Sequence, residues 1–306
     1  MRIVPNEDQS AFLAALEQMM GSPAAAWHAS PGWARFMWSN ELDEALEQNG
    51  YYDCAAEETL GAVSAAAMTY RLAQLPVVVE GAASSLVRAR FLPALPRPFA
   101  VIEGDLGKPV RLLPVAKTVL RIAANGVYAT VLGQDAVEPV ESLFAYPMGR
   151  LAASRVEWTL VDASELQVRH AWRTAVAAEL AGVLKAGLDA VVAHVTDRQQ
   201  FGHPLGSFQA IQHRLASAAV KIEAAHLLTL KACQTGDEVD ALTALGYIQD
   251  ASTKIIYDLH QFMGAMGLTL EHPVHRWTYR ARLLRTSMGG SAAILPALAK
   301  RFWIAE

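Results

Sequence analysis

The sequence predicts a mainly α-helical protein with a small β domain in the middle, and three observations carry that expectation. Alanine-rich segments with helical spacing run to about residue 90, where Pro93, Pro96 and Pro98 close them off. Short β-branched runs broken by glycine fill the stretch from about 96 to 163. Beyond it, apolar residues recur three and four apart over most of the remaining chain, the spacing of long helices packed in a bundle. The expected division is a helical domain over 1–95, a short β domain over 96–163 and a C-terminal helical bundle over 164–306.

Within the first region the periodicity predicts helices near 8–20, 33–49, 57–73 and 77–90, separated by Gly21-Ser22-Pro23, Gly50 and Pro76. In the middle region strands are expected at 99–102, 119–122 and 127–132. Asn125-Gly126 lies between the last two, and that dipeptide favours the left-handed backbone of a hairpin turn. Ser164, with Gln167 three residues on, forms a capping box that starts the first long helix. Its apolar stripe is Leu180, Leu184, Leu188, Val191 and Val195. A second stripe runs from Phe208 through Ile211, Leu215, Ala218 and Ile222 to Ala225, and a third from Leu245 through Ile248, Ser252, Ile255 and Leu259 to Phe262. A shorter helix near 290–303 completes an antiparallel four-helix bundle.

Composition narrows the function. A chain of 306 residues, 53% apolar and 18% charged, can bury a large core. Its net charge of −4 and isoelectric point near 6.1 argue against a nucleic-acid binder, while leaving local basic patches open. With only Cys54 and Cys233 there is no disulfide framework and no paired metal-ligand spacing, so a reducing, cytoplasmic setting and no metal are expected. The N-terminus carries Glu7 and Asp8 rather than the plan of a secretory signal, and even the apolar stretch 77–87 contains Glu80, so no membrane span is expected. His272 and His275 read as solvated loop residues rather than metal ligands. The run from Gly104 to Lys108 has the wrong spacing for a phosphate loop.

The most informative stretch is RQQFGHPLGSFQAIQH, from Arg198 to His213, which joins a helix end, a glycine turn and a helix start. An arginine fork binds a pyrophosphate bidentately, a phenylalanine covers apolar ring edges, and Gly202 with Pro204 fixes the turn that presents both. A second segment, HQFMGAMGLTLEHP from His260 to Pro273, combines a glutamine with a glycine turn. Together the segments resemble the signature of acyl-CoA dehydrogenases, in which they hold the ADP half of an FAD belonging to the neighbouring subunit. The resemblance is strongest over 166–306, and the helix, sheet, helix order is also that family's plan. It implies flavin contacts from Arg198, Gln200, Phe201, Leu205 and Phe208, and from Gln261, Gly264 and Ala265. Ala265 stands where the family commonly has a second glycine. Taken singly, Gly264 and Gly267 read equally well as helix caps, and Arg198 with Phe201 as a salt-bridging, core-packing helix end.

The absences are as specific as the motifs. The family's acidic-proline-glycine segment along the flavin ring has no counterpart, and its nearest candidate, Ile102-Glu103-Gly104-Asp105, reads as a β-turn. The usual catalytic glutamate aligns with Met288, which cannot accept a proton, so no catalytic residue is assigned. Some members keep the base one residue ahead of an arginine on the first long bundle helix, and there Trp172 precedes Arg173. The resemblance therefore implies the short, non-catalytic subunit of a heteromeric, FAD-dependent acyl-CoA dehydrogenase, paired with a homologous catalytic subunit as α2β2 and acting on an acyl-CoA thioester such as a bulky steroid side chain. Two alternatives stand beside it: a self-sufficient homotetrameric dehydrogenase with a relocated base, and a flavin-free helical assembly protein.

Overall fold

The computed structural model describes residues 5–21, 34, 36–133, 135–152 and 155–303. Helices α1 (Glu7–Gly21), α2 (Asn40–Gln48) and α3 (Gly61–Ala73) open the chain, followed by a π-helical turn (Ser84–Arg88) that runs into α4 (Ala89–Phe91). The helix expected over 33–49 starts only at α2, where Ser39 caps it by accepting the Leu42 N–H at 3.3 Å; much of the stretch before that cap lies outside the described residues. The helix expected over 77–90 begins later as well. Its start is set by Glu80, whose Oε1 accepts the N–H groups of Ala83 and Ser84 at 2.9 and 3.2 Å, while Val78 bridges to Trp38 as extended chain.

The β layer holds strands β1 (Phe99–Glu103), β2 (Val110–Arg111), β3 (Thr118–Ala123), β4 (Gly126–Val131), β5 (Val137–Val140), β6 (Met148–Leu151) and β7 (Thr159–Leu160). They form a four-stranded sheet in the order β1-β3-β4-β7, with β1 and β3 parallel, and a three-stranded antiparallel sheet in the order β2-β6-β5. The β3–β4 hairpin pairs Ala123 with Gly126, so its turn is Ala124-Asn125, one residue earlier than the dipeptide predicted. Alternation along the strands splits the larger sheet between two cores. Phe99, Leu120, Ile122, Val127 and Ala129 join the main core with the helices, whereas Ala100, Ile102 and Val119 face Val110, Leu113 and Leu151 in a smaller one.

Helix α5 (Glu165–Asp197) then crosses the molecule, with the Ser164 hydroxyl accepting the Gln167 N–H. A short ladder, β8 (Gln199–Gln200) and β9 (His203–Pro204), leads into α6 (Gln209–Thr235), α7 (Glu238–Met263), α8 (Val274–Leu284) and α9 (Ser291–Trp303). The stripes expected on α6 and α7 are buried or half-buried as predicted. The bundle holds one helix more than expected, α8, which packs on α5. Its His275 corrects the reading of a solvated loop: the ring is buried and Nδ1 donates to the His272 carbonyl at 2.8 Å. None of the described helices is long and apolar enough to cross a membrane.

A buried charged contact ties the β layer to the bundle. Arg111 of β2 grips Glu179 of α5 with both terminal nitrogens, at 2.9 and 2.8 Å, and Tyr146 donates to the same carboxylate at 2.6 Å. On the N-terminal side Arg97 is 1% exposed, pairs with Asp43 at 2.9 Å and lies over the Tyr52 ring.

Candidate functional site

Helix α5 ends at Arg198, whose N–H still bonds the His194 carbonyl at 2.9 Å while its backbone turns extended. Gln199 pairs with Pro204 and Gln200 with His203, which leaves Phe201 and Gly202 as a two-residue turn with φ of 54° and 81°. Both positive values define the primed turn that a tight antiparallel ladder needs. The turn is closed from behind by Leu205 N–H on the Arg198 carbonyl at 2.8 Å, and a 3-10 turn (Leu205–Ser207) feeds Phe208, the N-cap of α6.

This geometry holds the two key side chains out. Phe201 is 85% exposed and touches Phe208 edge-on, ring centroids 6.2 Å apart. The Arg198 guanidinium has no hydrogen-bond or ion-pair partner among the described residues. A core-packing phenylalanine and a salt-bridging arginine, the ordinary reading of this helix end, are therefore not what the fold contains. A large apolar ring and an unpaired cation presented together are the chemistry of an anion-bearing, ring-containing ligand.

The second motif closes the end of α7. Gly264 caps that helix at φ 61° and ψ −141°, a conformation that L side chains rarely adopt, although an added Cβ would meet nothing within 4 Å. Ala265 lies in the following 3-10 turn and is not among the residues with positive φ, so alanine in place of glycine carries no backbone strain. Gln261 and Ala265 are exposed. Antiparallel packing brings both motifs to the same end of the bundle. Arg214 near the start of α6 pairs with Asp258 of α7 and lies 4.6 Å over the Phe262 ring, and His194 of α5 stands close enough to His272 to help burial lower that ring's pKa.

On the other side of α5, a cleft of about 780 Å³ opens between the β layer and the helices. Trp172 and Met288, which stand at the two positions where the family resemblance implies a base, both line it. Met288 sits at φ 56° in the turn between α8 and α9, which Gln249 holds by donating to the Ser287 carbonyl at 2.9 Å. Glu103 and Asp105 also line the cleft, and the sequence assigned neither a catalytic role. Glu103 ends β1, its side chain 15% exposed and 3.6 Å from Arg169. Burial pushes its pKa up to about 7 despite the pull of Arg169 and Arg173. Among the described residues no group of three or more His, Cys, Asp or Glu is placed to hold a metal.

Comparison with known proteins agrees with this geometry. Residues 167–302 match the family model described as acyl-CoA dehydrogenase, C-terminal domain. The chain is similar to acyl-CoA dehydrogenase FadE34 of Mycobacterium tuberculosis, 32% identical over 198 residues, which cover 62% of this chain and 28% of that protein. It spans about a third or less of the length of the first curated relatives it matches. Among solved structures, the ChsE4-ChsE5 complex from Mycobacterium tuberculosis superposes with a TM-score of 0.75 at 17% identity over 99% of both chains. A variant of the Tcur3481-Tcur3483 steroid ACAD superposes at 0.76 with 21% identity, over 97% of this chain and 98% of its own. Residues 167–302 thus match the acyl-CoA dehydrogenase C-terminal domain, and the chain as a whole shares the fold of these solved structures.

Proposed function

We propose that this chain is the non-catalytic subunit of a heteromeric, flavin-dependent acyl-CoA dehydrogenase, paired as α2β2 with a homologous catalytic subunit. Arg198, Gln200, Phe201, Leu205 and Phe208, with Gln261, Gly264 and Ala265, grip the ADP half of an FAD whose ring belongs to the partner. The single observation that carries this reading is the contrast between the two ends of the site. The Arg198 end presents an unpaired arginine and an 85% exposed phenylalanine, while the two positions where the resemblance implies a base carry Met288 and Trp172, both lining the cleft. When bound, a flavin would supply the hydride acceptor; the residues of this chain would bind and orient its nucleotide. Two structural neighbours, a two-component complex and a steroid ACAD, support a partnered enzyme and a bulky acyl-CoA substrate.

The test is flavin per complex after gel filtration of the chain co-expressed with its partner. Arg198→Ala is expected to fold and assemble, because an exposed helix-end arginine adds little to stability. Flavin retention is expected to fall, because losing roughly 2–3 kcal/mol from a charge-assisted bidentate contact weakens affinity about a hundredfold, with Arg198→Lys intermediate. Full flavin occupancy in the alanine form, or robust dehydrogenation by the chain alone, sinks the reading.

Glu103 favours one other reading, a self-sufficient enzyme with a relocated base, since it is the raised carboxylate in the cleft. In that case the chain alone turns over acyl-CoA, and Glu103→Gln abolishes turnover while leaving bound flavin intact.

A further inference from the structure

A pocket of about 250 Å³ lies between α1, α3 and α6 and shares no lining residue with the cleft beside β1. Leu13 of α1, Val63 and Ala67 of α3, and Leu227 and Leu230 of α6 give it an apolar lining. Most of its polar side chains are already engaged. Ser64 donates to the Leu60 carbonyl at 2.9 Å, while Gln9 donates to the same carbonyl at 3.1 Å and accepts the Asn6 N–H at 3.0 Å. Arg71 pairs with Glu17 at 3.2 Å, and Glu223 also lines the pocket, so the formal charges of the lining cancel. His226 is different. Its ring stacks on Tyr70, centroids 3.9 Å apart, which fixes the imidazole, yet Nδ1 is shut off from solvent and has no hydrogen-bond partner among the described residues. Burial, with a smaller push from Arg71, lowers its pKa to about 4, so the ring is uncharged at neutral pH and offers one donor and one acceptor.

We propose that this pocket binds a small, uncharged one-ring phenol or cyclic alcohol, its ring against the apolar lining and its hydroxyl on the His226 imidazole. A hydroxyl both donates and accepts, so it suits whichever ring nitrogen it meets. Size sets the class: an apolar cavity of about 150 Å³ holds benzene, so about 250 Å³ takes one ring with a substituent or two. Charge narrows it further. A carboxylate would meet an arginine already paired with Glu17, and an ammonium only Glu223, which is exposed to water, so neither recovers its lost hydration. The proposal does not rest on the shared-flavin reading, since no residue of the turns around Arg198 or Gly264 lines the pocket.

The full chain is titrated with para-cresol, followed by calorimetry and ligand-detected NMR, with circular dichroism as the folding control. Toluene, which lacks the hydroxyl, and para-toluate, which carries a carboxylate instead, are the matched molecules. One para-cresol per chain is expected, with both others roughly threefold to tenfold weaker, the worth of one hydrogen bond. His226→Phe keeps a ring on Tyr70 and should erase the preference for cresol over toluene. Ala67→Phe fills the pocket and should weaken both on the order of tenfold or more. Ala67 is buried, so the half-buried Leu230 provides a second filling variant, Leu230→Trp, that keeps the test usable if the first misfolds. Toluene or para-toluate binding as tightly as cresol to the wild type overturns the proposal. So does the absence of saturable binding, cresol binding that survives pocket filling, or a cresol preference that persists in His226→Phe.

Discussion

Phe201 concentrates the conflict between stability and function in one residue. A bulky side chain at φ 54° is strained, at a cost of roughly 1–2 kcal/mol, and Asn is the residue that tolerates this backbone before a glycine. The ring is also 85% exposed, so little burial offsets the strain. Phe201→Asn is therefore expected to stabilise the isolated chain by roughly 0.5–1 kcal/mol in urea denaturation, while flavin retention by the assembled complex falls. A variant less stable than the wild type would show that the hairpin holds phenylalanine without strain. The residue types of this turn were legible in the sequence because the motif is local and each residue has a fixed chemical task. Glu103 was not. It becomes part of the cleft only when β1 packs beside α5, and nothing in Ile102-Glu103-Gly104 distinguishes a strand end facing a cavity from an ordinary turn. Trp172 and Met288 were legible singly, but only the fold puts them in one cleft.

At the scale of elements, the spacing of apolar residues found α6 and α7 because each buries one face and shows the other to solvent. Helix α5 was read the same way, from one stripe, yet the structure buries Ala175 through Leu184 on every side, since α3, α6, α7 and α8 all pack around it. Periodicity fades when a helix has no wet face. The short strands β2, β5 and β7 escaped for a related reason: with two to four residues, one face half-exposed, they carry too few alternations to show a period. Close helix approach gives a sharp test on α5 itself. Glycine to alanine in a helix normally gains about 1 kcal/mol. At Gly182, however, an added Cβ would stand 2.3 Å from the Tyr70 carbonyl oxygen and 2.8 Å from the Ala73 Cβ of α3, and backbone cannot step aside. Gly182→Ala is expected to destabilise by about 2 kcal/mol or more, overpacking exceeding the propensity gain. One turn and a half further on, Gly187→Ala crowds the flexible end of Leu259 at 3.0 Å and meets Trp277 and Thr278 at ordinary contact distances of 3.8 and 4.0 Å, so it should stay within about 1 kcal/mol of wild type. Equal stability of the two variants in urea titrations would refute close packing of α3 on α5.

For the whole molecule, the three stretches of sequence with different textures need not be three folding units. One face of the β1-β3-β4 sheet contributes Phe99, Leu120, Ile122, Val127 and Ala129 to the same core as α3 and α5, and only the other face has a small core of its own. The charged contacts cross the same boundary, with Arg111 reaching Glu179 and Arg97 reaching Asp43. A layer that shares its larger core and its buried ion pairs with the helices gains little by folding alone. The chain is therefore expected to unfold in one transition, with far-UV circular dichroism and tryptophan fluorescence changing together. Glu179→Ala strands the buried Arg111 guanidinium and should lower that transition by about 3–5 kcal/mol in stability, moving both signals equally. Residues 164–306 produced alone would leave the sheet-facing side of α5 uncovered, and should show helical far-UV signal without a cooperative near-UV transition. Two separated transitions in the full chain, or a cooperatively melting 164–306 fragment, would instead make the bundle an independent domain, with the β layer and the cleft it shares with α5 added as a detachable part.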